Sequence, residues 1–98
     1  YLGSGELRAQ READASAAGL WVRYVLTGDL PADTPTLGDL YHLDAGDSAM
    51  ARQIIAAHLA TIRAGVVPNL DVCVVLARWF HAQTDIPADV LARVAVVP

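Results

Sequence analysis

Apolar residues recur along most of this chain at helical spacing rather than in alternation, and the breaks between the periodic stretches carry glycine, proline and aspartate. From Glu6 to Thr27, Leu7, Ala17, Ala18, Trp21, Tyr24 and Val25 fall on one side and Arg8, Glu12, Ser16 and Arg23 on the other, which predicts a first amphipathic helix. Gly28 suits the left-handed position just past a helix and Pro31 cannot continue one, so the helix is expected to end there. Residues 1–5 read as a flexible lead-in and Gly28 to Pro35 as a connector without a core of its own. Thr36, with Asp39 in the first turn, predicts the start of a short helix carrying Leu37, Leu40 and Leu43. Asp44 to Asp47 reads as a turn, with Asp47 or Ser48 capping the next helix.

That next helix is predicted over Ala49 to Ala64, with Ala51, Ile54, Ile55, Leu59 and Ile62 facing inward and Arg52, Gln53, Ala56, Ala60 and Arg63 outward. Gly65 ends it. After Pro68, Asn69 is expected to cap a further helix running to about Gln83, apolar nearly all round through Leu70, Cys73, Val75, Leu76, Trp79 and Phe80 and therefore expected to be the most buried element. Pro87 opens a last short helix with Val90, Leu91 and Val94 on its inner edge. The expected fold is all-α, a single domain over 1–98 built as a small bundle of four to five helices, with Leu76, Trp79, Phe80, Ile55, Leu59 and Ile62 in one core and Trp21 and Trp79 as its aromatic anchors.

Composition changes the picture in two ways. The chain is 54% hydrophobic and 18% charged, too apolar for a disordered segment and rich enough in apolar surface to leave some for self-association. Its seven basic residues, all arginine, stand against eleven acidic ones, a net charge of −4 that is a weak electrostatic basis for nucleic-acid binding. Within that balance, Ser48 to Leu70 holds Arg52, Arg63 and His58 and no acid.

The chemistry of catalysis and metal binding is not visible. His42, His58, His81 and Cys73 stand at no spacing that would set two ligands on one helix face, so no metal or cofactor is expected. Cys73, inside an apolar helix, reads as a small core residue, and His58, at the edge of an apolar stripe, as a half-buried hydrogen-bonding residue. Gly3-Ser4-Gly5 is too short for a phosphate loop, and no catalytic constellation points to an enzyme. A lone cysteine fits a reducing, cytoplasmic setting, and no apolar run reaches membrane-spanning length, so no membrane partner is expected.

Ile54-Ile55-Ala56-Ala57-His58-Leu59-Ala60-Thr61-Ile62-Arg63-Ala64-Gly65 resembles the recognition helix and following turn of lambda-repressor-like (Xre) helix-turn-helix regulators of the actinobacterial type. Pro68, Leu70, Leu76-Ala77-Arg78, Trp79-Phe80 and Leu91 extend the resemblance over residues 54–91. It implies a helix-turn-helix transcriptional regulator that binds double-stranded DNA, with Thr36 to Leu43 as the helix before the recognition helix. Arg52 and Gln53 would read bases, Ala56 and Thr61 would lie on the reading face, and Arg63 would hold a phosphate. A second class stays open beside it. Ala56, Ala57 and Ala60 can touch a thymine methyl but make no bidentate hydrogen bond, and with the net acidity they suit a helical protein-interaction or assembly module, expected to form a homo-oligomer.

Overall fold

The computed structural model describes residues 4–32 and 45–97, with side chains described from Glu6 onward. It is all-helical, with four helices among the described residues: α1 (Ser4–Thr27), α2 (Ala45–Arg63), α3 (Asp71–Ala82) and α4 (Ala88–Ala92). No strand forms at Val72 to Val75. The short helix expected over Thr36 to Leu43, and Asp44 at the start of the expected turn, lie outside the described residues.

Two left-handed glycines close the long helices. Gly65 has φ 78°, and the N–H groups of Gly65 and Val66 donate back to the carbonyls of Ile62 and Thr61, a Schellman closure that satisfies carbonyls the helix would otherwise leave bare. Gly28, at φ 79°, ends α1 with a single bond from its N–H to Tyr24 O. Thr27 adds a further tie, its hydroxyl donating to Arg23 O while accepting from the Asp29 N–H.

Helix starts differ from the sequence expectation. α1 begins at Ser4, inside the expected lead-in, and α2 at Ala45, so Asp47 sits in the first turn, where a negative charge meets the positive end of the helix dipole, rather than in a turn before it. α3 begins at Asp71, preceded by Leu70 in an extended conformation, and no side chain caps it; Asn69 is not its cap. Asp71 supplies the favourable first-turn charge instead.

α1 packs mainly along α2. The buried positions of α1 are Ala9, Ala13, Ala17, Trp21 and Val25, a stripe at every fourth residue. This corrects the expected inner face: Leu7 is exposed, Ala18 and Tyr24 are only partly buried, and Ala9 and Ala13 are fully covered. The methyl side chains let the two helices approach closely over the first turns, and Trp21 and Val25 fill the space where α3 and the C-terminal segment join. On α2 the buried residues are Ala51, Ile55, Leu59 and Ile62, the face the periodicity indicated.

Trp21 is 1% exposed and meets the Phe80 ring edge-on, with centroids 6.5 Å apart. Trp79 is not a second core anchor: it is 50% exposed, set against Phe80 from outside at 5.2 Å, and Leu76 is only partly buried. α3 is therefore not the most buried element. It turns Cys73, Ala77 and Phe80 inward and leaves Val72, Val75 and Trp79 in solvent.

Arginine closes the far end of α1. Its last turn has no basic residue of its own, but Arg93 Nε donates to Val25 O at 2.9 Å and Nη2 approaches Leu26 O at 3.5 Å, placing a guanidinium on the negative end of the helix. Asp89, one turn earlier, holds the same guanidinium at 3.6 Å. Arg93→Ala is expected to lower stability by about 1–2 kcal/mol through loss of these charge-assisted bonds. Chemical denaturation checks it, and an unchanged midpoint would mean that water replaces the cap without loss.

Candidate functional site

The residues implied by the resemblance are all on α2, and the structure separates them. Arg52, Gln53 and Ala56 are exposed and, with Ala49, line one open depression on the outer side of the helix. Arg63 lies on the same face about three turns on, since eleven residues nearly complete three helical turns. Its side chain is engaged: Nη2 donates to Pro31 O at 2.6 Å and to Ala32 O at 3.1 Å, tying the connector after α1 to the end of α2. Thr61 is half-buried and its hydroxyl donates to Ala57 O at 3.2 Å, within its own helix. Between Gln53 and Arg63 the outward positions are Ala56, Ala57 and Ala60, all exposed.

His58 faces α1. Its Nε2 lies 3.2 Å from Asp14 Oδ1 in a partly buried setting, and because a carboxylate only accepts, Nε2 carries the proton. Asp14 pairs with His58 midway along the interface, and the connector after α1 pairs with Arg63 at its end, so the polar contacts run in the same order along both helices. His81 makes the matching tie on α3, its Nε2 donating to Val94 O at 2.7 Å and holding the C-terminal segment down. Both histidines are thus committed to structure.

Cys73 is fully buried, and burial pushes its thiol up to about 11, so at neutral pH it is a protonated core residue rather than a nucleophile. Among the described residues no group of three His, Cys, Asp or Glu side chains is gathered closely enough to hold a metal ion. A groove of about 310 Å³ runs between the 65–69 turn and residues 95–97, lined by Val66, Val67, Val74 and Val96 with Asn69 as its sole polar side chain among the described residues. That is the small end of ligand-sized pockets, without the converging polar groups that orient a small molecule. No helix among the described residues is long and apolar enough to cross a membrane.

A further surface feature among the described residues is the outer side of α3. Val72, Val75 and Trp79, at i, i+3 and i+7, are 52%, 63% and 50% exposed and share one face. Sequence reasoning missed it, because a helix apolar nearly all round carries no mark of which side its own fold will cover.

No family model, curated protein or solved structure matches this chain.

Proposed function

We propose that this chain is a helical protein-interaction module that docks through the outer face of α3. The observation that carries this reading is the exposure of Trp79 together with Val72 and Val75 on one helix face. A large aromatic ring flanked by branched aliphatic residues is the composition of an interface centre, where burying it against a partner recovers the free energy lost to hydrating apolar surface. The lone, buried Cys73 suits a reducing compartment such as the cytoplasm.

A DNA-binding regulator is the second reading, favoured by Arg52 and Gln53 lying exposed side by side on α2. The engagement of Arg63 with the connector carbonyls, the alanine-rich strip beside it and the net charge of −4 weigh against it.

A gel-shift titration against mixed duplexes at low salt separates the two. The expected result is no retained duplex. Saturable binding that loses sequence preference in Arg52→Ala or Gln53→Ala, at about 1–3 kcal/mol for a good base contact, would install the DNA reading instead. Arg63→Ala would then need a stability control, since it also frees the connector. For the docking reading, an affinity-tagged chain is expected to retain a partner that Val75→Asp loses while Arg52→Ala keeps it.

A further inference from the structure

We infer that the partner seated on α3 is a second copy of this chain, paired antiparallel about a two-fold axis passing between Val75 and Leu76. The inference rests on the reading of α3 as a docking face and names its occupant.

The outer face of α3 is complementary to itself. Along the helix, Asp71 and Arg78 lie on one flank of Val75, and Val72 and Trp79 lie on the other. A two-fold axis perpendicular to the helix reverses its direction but brings like flanks together. Centred between Val75 and Leu76, it sets Val72 of one copy opposite Trp79 of the other, twice, with the two Val75 side chains meeting at the axis. On the other flank the same operation brings Asp71 of each copy beside Arg78 of the other. Arg78 is already engaged within its own chain, and a guanidinium with five N–H donors accommodates a further acceptor. The acidic first turn therefore meets the basic later turn of its mate, and the two helix dipoles oppose. A parallel pairing, about an axis along the helices, would instead set the Asp71 and Arg78 flank of each copy against the Val72 and Trp79 flank of the other, leaving the charges unmatched and the apolar pairs broken.

Area sets the strength. Half-exposed Trp79 and the two valines offer about 300 Å² of apolar surface per copy, so the dimer core buries about 600 Å² in total, less than a stable specific interface and in the range of a weak, transient one. The association is weak and concentration-dependent, with monomer dominant in dilute solution.

Sedimentation velocity on the whole chain from about 10 to about 500 µM tests this, a range that spans weak dimerisation. The expected result is a reversible monomer–dimer equilibrium that Val75→Asp weakens at least about tenfold. Circular dichroism confirms that the variant folds, as substitution at a 63% exposed position allows. Asp71→Arg is expected to weaken the dimer, and Asp71→Arg combined with Arg78→Asp to restore it. Val75→Cys is expected to form a disulfide-linked dimer on mild oxidation and Ala82→Cys not, because the two copies of residue 82 lie about 20 Å apart in this register.

A chain that stays monomeric throughout overturns the inference. If that monomer still retains a different protein that Val75→Asp loses, the docking reading survives with another occupant; if it retains none, both fall. Dimerisation unaffected by Val75→Asp, or cross-linking as efficient through residue 82 as through residue 75, also overturns it.

Discussion

Trp21→Ala is expected to cost about 3–5 kcal/mol, the usual penalty for deleting a large buried aromatic ring, and so to remove a major fraction of the roughly 5–15 kcal/mol that keeps a domain folded. Trp21 is 1% exposed and meets Phe80 edge-on at 6.5 Å, so it is the bridge by which α1 holds α3. Trp79, which meets Phe80 edge-on at 5.2 Å, is half exposed and lies at the surface rather than in the core around Trp21. For a chain of this size the melting temperature should fall by about 15 °C or more. Trp21→Phe, which keeps an aromatic ring in the site, should lose less. Thermal unfolding followed by circular dichroism checks both, and a loss below about 1 kcal/mol for Trp21→Ala would mean that Trp21 is not packed as described.

Ala13→Leu is the second large effect, and it acts in the opposite sense, by overfilling. Ala13 is fully buried in the same core cluster as Ala51, Ile55 and Leu59, and its neighbour Asp14 reaches His58 on α2. A branched side chain there must push the two helices apart or adopt a strained rotamer, at about 1–3 kcal/mol. Separating the helices would also lengthen the 3.2 Å Asp14–His58 contact. Ala15→Leu, two residues on and exposed, is the control and should change stability by no more than about 0.5 kcal/mol. Equal effects at residues 13 and 15 in urea denaturation would sink the close-packed alanine interface.

These two residues mark where sequence pattern and tertiary structure part company. The helical class, the inward face of α2 and the breaks at Gly28 and Gly65 were legible because each depends on local physics. Apolar residues at helical spacing define a stripe, and a left-handed φ near 78° selects glycine whatever surrounds it. His58 was legible as a half-buried hydrogen-bonding residue for the same reason, since it borders a well-defined stripe.

On α1 the same reasoning chose the larger side chain, Leu7, over Ala9 and Ala13, because periodicity weighs hydrophobic bulk whereas close helix packing selects smallness. Arg63 looked like a free cation from its exposed register position. Its occupation by the carbonyls of Pro31 and Ala32, more than thirty residues earlier in the chain, is a long-range fact. Arg93 capping α1 across 68 residues is another. Trp79 is the sharpest case. Sequence by itself determined that α3 is helical and apolar on nearly every side; the tertiary structure alone decided that Phe80 turns inward and Trp79 outward, because one helix can press only one face against α1, and its remaining apolar face stays in water.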